Sequence, residues 1–492
     1  MANSEHEAIL KQGVEVWNKW RRDNPDKNPN LSNMYLVEVD LNGADLSGTN
    51  LSGANLSGTN LSGANLSDAI LYGADLRYAN LQLAILNNTI MSDVDLSNAN
   101  LNDTDLSDAD LSNANLIYAD LSHASLTNAN LSGANLNDAD LSHAHLNDAN
   151  LSSAELCNTR LWYANLTDAD FSNTDLRNAD FNEADLSNAN FSEANFSRAN
   201  LSNSHCIGVN FNGSNLTGAD LTSAHLNGAN FNNANLTHAN LSRADLYGAD
   251  LYKADLSFAD LTASNLSRAV LVETNLDRAN ISGCRIYGTS AWELNINNLT
   301  QSNLIITKDG EPEITVDNLE IAQFVYLLLN NSKLRSVIDT LTTKSVLILG
   351  RFTPERKSVL DGIREALRQR GYVPMLFDFD KPANRDLTET VKTLAGLARF
   401  VILDLSDPNS SPHEIMSFAE QLLSVPVQGI FCPTVAHPNP YPMYEHIRRY
   451  PQVLPIYRYE TAEDLMATLE EKVIKPAEAK VIEMRPPTNP VL

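Results

Sequence analysis

From Leu36 to Ile286 an apolar residue falls on every fifth position, 51 times in succession, without insertion or deletion. The series begins Leu36, Leu41, Leu46, Leu51. Phe171, Phe181, Phe191, Phe196, Phe211 and Phe231 are its larger members, and Met91 and Cys206 alone are neither Leu, Ile nor Phe. Two residues before each stands a small residue, as in Ala44, Thr49, Ala54, Thr59 and Ala64, so the unit reads A-(D/N)-L-x-x. A period of five matches neither a helix nor a strand and calls for a repeat architecture. A large and a small residue two apart point inward from one short straight segment, and the remaining three face water and form the corner. Four such segments close a square coil. Coils stacked at the spacing of paired strands, about 4.8 Å, make a rod of about thirteen coils and roughly 60 Å. Such a narrow interior holds one large side chain per face, so enlarging an interior alanine, Ala134→Leu for example, overpacks it.

An open coil exposes its apolar interior, so both ends need covers. At the start, Ser4-x-x-Glu7 has the form of a capping box, followed by Ile9, Val16, Trp17 and Trp20 at helical spacing and then by Pro25 and Pro29. Residues 1–30 are therefore expected as an N-terminal capping helix on a 31–300 solenoid. After Ile286 the register is lost. Asp317 and Glu320 precede the apolar helix LEIAQFVYLLLNN, too short to span a membrane. Residues 301–343 are expected as a helical cap and linker.

From residue 344 the period changes to alternating strands and helices. SVLILG (345–350), YVPMLFD, RFVILDLSD, VPVQGIFCP and VLPIYRY read as buried strands, with helical segments between and after them. This order predicts an α/β domain over 344–476 with a five-stranded parallel sheet and helices on both faces. Residues 477–492, with prolines from Pro486 onward, are expected as a disordered tail. Ligands of such sheets gather at the carboxyl ends of the strands. There the sequence places Arg351, Phe352, Asp378, Ser406 and Asp407, with Arg356 just beyond in the first helix. No GxGxxG follows the first strand, and Gly350 with Lys357-Ser358 has the wrong spacing for a P-loop.

The repeat, over residues about 31–290, resembles the pentapeptide-repeat family. The resemblance implies a right-handed quadrilateral parallel β-helix; periodicity alone gives only a tightly wound coil. The segment 343–475 resembles TIR-like (Toll/interleukin-1 receptor type) domains, of flavodoxin-like order, in the polar loop after its second strand and in LDLSDPNSSPHEI after its third. In the TIR enzymes that cleave NAD a glutamate following Ser and a Trp-Cys motif is catalytic. Glu414 in Ser411-Pro412-His413-Glu414 matches that glutamate, but the Trp-Cys pair is absent. On this resemblance NAD or another nucleotide is the ligand to consider, with Arg351 or Arg356 holding its diphosphate; no resident cofactor is indicated. Self-association through this domain is the corresponding oligomeric expectation.

Charge changes the picture of the partner. The formal net charge is -26, which disfavours direct contact with nucleic acid or an anionic membrane. Residues 41–286 hold 28 Asp and Glu against nine Lys and Arg, and no basic residue lies between Arg77 and Arg160. Residues twenty apart share one line on a four-sided coil, giving Asp68, Asn88, Asp108, Asn128, Asp148, Asp168 on one and Asp120, Asp140, Arg160, Asp180 on another. A solvated face, a mimic of DNA phosphates toward a basic groove, and a cation site are the three readings. Asp103-x-Asp105-x-x-Asp108 lacks the glycine and distal glutamate of a calcium loop. Exposed Tyr72, Tyr78, Tyr118, Trp162 and Tyr163 are possible anchors. The four cysteines form no CxxC pair, and no metal site is expected. With no leader-like start and no long apolar run, the expectation is a cytoplasmic, non-enzymatic scaffold or sensor that binds a protein with a basic surface. An NAD-hydrolysing effector using Glu414, or a DNA-mimic regulator of an enzyme such as gyrase, are the alternatives.

Overall fold

In a computed structural model the described residues are 2–351, 353–378, 394–407, 425–434, 437–440 and 448–484. The chain divides into two compact units, Met1–Tyr326 and Leu327–Leu492.

The first unit is the solenoid. Residues twenty apart pair in parallel, from Asn30 with Asn50 to Arg285 with Ile305, so four five-residue units make one coil, as the resemblance implies. The unit Leu131–Asn135 shows why each position is what it is. Its Leu131 and Gly133 amides donate to Asn150 O (2.7 Å) and Ser152 O (3.0 Å) of the next coil, and Asn135 N donates to Ala114 O (2.9 Å) of the preceding one. Ala134 N closes the turn on Leu131 O (3.0 Å). The fifth amide, Ser132 N, has no backbone acceptor and donates instead to the side-chain Oδ1 of Asn130 (3.2 Å). An Asp or Asn before the apolar residue is thus favoured by the backbone, which it completes with an Asx turn wherever it stands.

The turn has a second demand. Its third residue sits at positive φ throughout, near +60° at Gly43, Asp68, Asn88, Asp108 and Asn113 alike, the region that Gly, Asn and Asp tolerate best. Inside, the Leu and Ala positions are fully buried, and Phe171, Phe191, Phe211 and Phe231 stack with centroids 4.8, 5.7 and 5.1 Å apart. Ala134 is completely buried. Ala134→Leu is accordingly expected to cost about 1–3 kcal/mol through overpacking, seen as a lower thermal midpoint with added exchange confined to the neighbouring coils.

The register outlasts its apolar signature. Val270–Val272 pairs in parallel with Ser290–Trp292, and Ala291, Leu304 and Ile306 are buried. The register expected to end at Ile286 therefore continues for one more coil, carried by backbone pairing after Gln301 has replaced an apolar residue. At the N terminus, two helices stand where one is expected: α1 (Ser4–Leu10), capped by Asn3 rather than Ser4, and α2 (Val14–Asp23). Trp17 is fully buried against the first coils, while Val16 is exposed. Trp17 Nε1 donates to Asp45 O (2.7 Å), Arg21 to Ser47 O (2.6 Å), and Asp45 N to Asn18 Oδ1 (2.8 Å). These groups would otherwise pair with a preceding coil, so the cap supplies both the apolar lid and the missing ladder. At the other end the first turns of α3 (Leu319–Asn330) bury Leu319 and Ala322 in the solenoid core.

In the second unit, α4 (Ser332–Lys344) leads into β1 (Ser345–Gly350), α5 (Pro354–Gln369), β2 (Val373–Asp378), β3 (Phe400–Asp404), β4 (Val427–Phe431), β5 (Val453–Arg458) and α6 (Ala462–Leu469). The sheet is parallel in the order β2-β1-β3-β4-β5. The first residues of the tail expected from residue 477 are helical, through Met484. A π turn, Glu470–Ile474, continues α6 into α7 (Lys475–Met484), which buries Ala477 and Val481. The widened turn accommodates Pro476, which has no amide to donate.

Glu478 of α7 accepts from Arg399 (2.7 Å) and Tyr372 (2.8 Å). Burial opposes its charge, but these bonds outweigh burial and hold the carboxyl below its ordinary 4.5. A depressed carboxylate adds stability above its unfolded value that is lost as pH falls through the folded one. Protection of α7 and β3 from hydrogen exchange is therefore expected to weaken as pH drops below 4.5, and Glu478→Gln to flatten that dependence.

Candidate functional site

The solenoid surface divides into what the backbone demands and what it does not. Asp and Asn before each apolar residue serve the Asx turn, and they interlock between coils: Asn115 donates to Asp95 (3.0 Å), Asn130 to Asp110 (3.0 Å) and Asn190 to Asp170 (2.9 Å). Arg160 likewise meets Asp140 at 3.2 Å. The line from Asp68 to Asp168 lies at the positive-φ corners, where the backbone favours these residue types. Both acidic lines therefore have a structural cause, and the DNA-mimic and cation readings lose specificity.

What the backbone does not demand is a bulky side chain at those corners. Tyr78, Leu83, Tyr118, His123, His143 and Tyr163 all occupy them. They fall on two neighbouring lines of the coil, Tyr78 and Tyr118 on one, Leu83, His123, His143 and Tyr163 on the other. His123 stacks on His143 (4.7 Å) and His143 on Tyr163 (5.2 Å), with Trp162 edge-on to His143 at 4.8 Å. A hydrogen bond to Glu183 raises the Tyr163 phenol's pKa. Tyr78, Leu83, Tyr118 and Tyr163 are 68%, 62%, 60% and 46% exposed, enough for each to be covered by a partner. Of the aromatic anchors read from the sequence, four lie on this face. Tyr72 stands apart, between Ser52 and Ser92 of its line. The face overlaps the stretch without Lys or Arg and, between residues 78 and 163, holds one such residue, Arg160, paired with Asp140.

At the strand ends of the second unit, Gly350 closes β1 opposite Asp378 of β2, and Arg351 follows it. Arg356 of α5 reaches the end of β3, where it pairs with buried Asp404 (2.7 Å) and donates to the Tyr459 hydroxyl (2.5 Å). Ser406 N donates to the other Asp404 oxygen (3.0 Å), and the Ser406 hydroxyl accepts from Cys432 N (2.9 Å). Burial, joined by the Asp404 charge, raises the Tyr459 phenol's pKa. A Cβ on Gly350 would come within 3.1 Å of Asp404, so glycine permits this close approach. The crevice between β1 and β3, where the strand order reverses, is thus occupied by a salt bridge.

Of the residues expected there, Arg356 and Ser406 are brought together, and Arg351, Asp378 and Asp407 lie at the same edge. Phe352 and Glu414 fall outside the described residues. The sequence reading passed over Asp404 and Tyr459. The signal for Asp404 was present, an acid closing an otherwise apolar strand; Tyr459 carried none. Among the described residues no group of three or more His, Cys, Asp or Glu is placed to hold a metal ion. No helix among them is long and apolar enough to cross a membrane.

Eight copies of the pentapeptide-repeat model match the chain, at residues 28–53, 49–88, 89–128, 124–162, 164–203, 194–233, 214–251 and 254–290. No curated protein matches it. Among solved structures it is similar to HetL, a pentapeptide repeat protein involved in heterocyst differentiation regulation from the cyanobacterium Nostoc sp. strain PCC 7120. That similarity is 28% identity over 60% of this chain and 97% of the other, with a TM-score of 0.17. It is also similar to trypsin-treated QnrB1, a plasmid-mediated fluoroquinolone resistance protein, at 19% identity over 34% of this chain and 89% of the other, TM-score 0.23. Rfr23 from the cyanobacterium Cyanothece 51142 is 28% identical over 30% of this chain and 97% of its own, TM-score 0.15.

Proposed function

This chain belongs to the pentapeptide-repeat family, and from that premise we propose that it is a non-enzymatic interaction scaffold whose solenoid binds a protein partner bearing a basic surface. One observation carries the reading: Tyr78, Leu83, Tyr118, His123, His143 and Tyr163 occupy corners that disfavour bulky residues, on one face of a segment whose single Lys or Arg, Arg160, is paired with Asp140. Large aromatic anchors in an acidic surround fit a partner with apolar pockets rimmed by Lys and Arg. In this reading the α/β unit is a TIR-like module for protein contact, self-association or nucleotide sensing. Arg351, Phe352, Asp378, Ser406 and Asp407 are its ligand-binding candidates, with Arg356, which pairs with Asp404.

The test compares the full chain with a Tyr78→Ser/Tyr118→Ser/Tyr163→Ser variant as bait. The exposed substitutions leave folding intact to within about 0.5 kcal/mol, and a partner held by the native chain is lost from the variant and from the native chain at high salt. Equal retention by both baits would sink the proposal. The effector alternative is separated by incubating dilute and concentrated protein with NAD: nicotinamide release that disappears in Glu414→Gln favours it over the scaffold. For the DNA-mimic alternative, a gyrase supercoiling assay gives the answer, with inhibition or protection by the full chain favouring mimicry.

A further inference from the structure

We propose that a basic pocket near the C-terminal end of the solenoid binds a phosphate-type oxyanion, free or as a small aromatic monoester. The pocket, a cavity of about 250 Å³, is lined by Ser267, Arg268, Arg285, Lys308 and the rings of Tyr247 and Tyr287, with Asp309 at its margin. Three cations converge there on an otherwise acidic solenoid; Arg285 is met by Asp309 (3.8 Å) and Glu313 (3.2 Å), which leaves Arg268 and Lys308 for an oxyanion. The cations are held differently. Arg285 is anchored, donating to Thr307 O (3.0 Å) and to Glu313 Oε1 (3.2 Å). Arg268 sits at a positive-φ corner with its guanidinium 5.6 Å from the centre of the Tyr247 ring, which places its fork above an aromatic wall. Guanidinium groups recognise phosphate oxygens in pairs, and an ammonium adds a point charge.

A second, independent observation points to a ligand. Ser267 is 4% exposed, and among the described residues its Oγ is a buried polar atom without a hydrogen-bond partner. The equivalent hydroxyls of Ser187 and Ser197 donate to the Asx side chain two residues before, at 2.6 Å each. In the Ser267 corner the Asn265 Oδ1 accepts only the backbone amide, at 3.1 Å, and the hydroxyl of this pocket-lining residue has no acceptor. A buried donor without an acceptor is destabilising, and an oxyanion in the pocket would satisfy it. The Tyr247 and Tyr287 walls fit a planar body on the phosphate.

Titration calorimetry of the full chain with inorganic phosphate and with phenyl phosphate, at low ionic strength and against equimolar chloride, tests this. Saturable binding with a Kd below about 1 mM is expected for at least one of them. Tighter binding of phenyl phosphate identifies a monoester site, and equal binding a free-phosphate site. Arg268→Gln and Lys308→Gln, both at exposed positions, are expected to weaken binding about tenfold each, and Ser267→Ala to weaken it with an unchanged circular dichroism spectrum. Absence of saturable binding by either anion, or binding undiminished in the Arg268→Gln/Lys308→Gln double variant, would overturn the assignment.

Discussion

Trp17→Ala is expected to destabilise the solenoid by about 3–5 kcal/mol and to do so from one end. The indole is fully buried on the first coils and its N–H is the donor to Asp45 O. Alanine removes the lid and leaves that carbonyl without the bond a preceding coil would have made. Because each coil touches only its neighbours, the loss propagates inward instead of spreading evenly. Hydrogen exchange should accelerate over the coils after Leu31 and leave the Phe171–Phe231 stack protected. Trp17→Phe retains most of the apolar area but not the donor, and should cost about 1–3 kcal/mol. Uniform loss of protection along the solenoid in Trp17→Ala would mean that it unfolds as one block, not coil by coil.

Arg356→Met is the second large effect, expected to destabilise the α/β unit by about 3–5 kcal/mol. Asp404 is 2% exposed and its charge is compensated by Arg356 and the Ser406 amide. Removing the arginine strands a carboxylate in the interior. The double variant Arg356→Met/Asp404→Leu removes both charges and should recover most of the loss, since a buried ion pair seldom outperforms an apolar replacement of similar volume. Exchange of β1 and β3 amides in the full chain reads both variants. If the double variant were as unstable as the single one, Arg356 would be acting through Tyr459 more than through Asp404.

The solenoid was legible because its code is redundant: losing or gaining one residue anywhere would have displaced every later Leu. The meaning of the polar positions was not legible. Asn130 is an acceptor for Ser132 N, and Asp68 a residue at positive φ, facts that depend on a turn the periodicity implies but does not specify. The apolar register reads as lost after Ile286, inside the expected 31–300 solenoid, because Ala291 and Gln301 stand where Leu had stood, while backbone pairing continues unchanged. In the α/β unit, the strand alternation was visible in runs such as SVLILG. The Arg356–Asp404–Tyr459 contact joins residues 48 and 103 positions apart, and no local pattern announces it. Helix α7 was hidden by Pro476, which reads as a stop until the π turn before it is seen.

The aromatic face gains its weight from the same accounting. Once Asp and Asn are assigned to the turn, the acidity alone no longer argues for a partner; Tyr118 and Tyr163 at strained corners still do. The sequence shows these aromatics but not their strained setting, because the positive-φ corner is a property of the folded turn.

The most direct measurement places a photo-crosslinking phenylalanine derivative at Tyr118 in one protein and at Asn188 in another. Residue 188 lies at the opposite corner of the four-sided coil, ten residues out of phase. The interaction account predicts that one partner protein crosslinks through position 118 and not through 188, with a yield that falls as salt is raised. Equal crosslinking from both positions, or a bound partner that never crosslinks from 118, would contradict it.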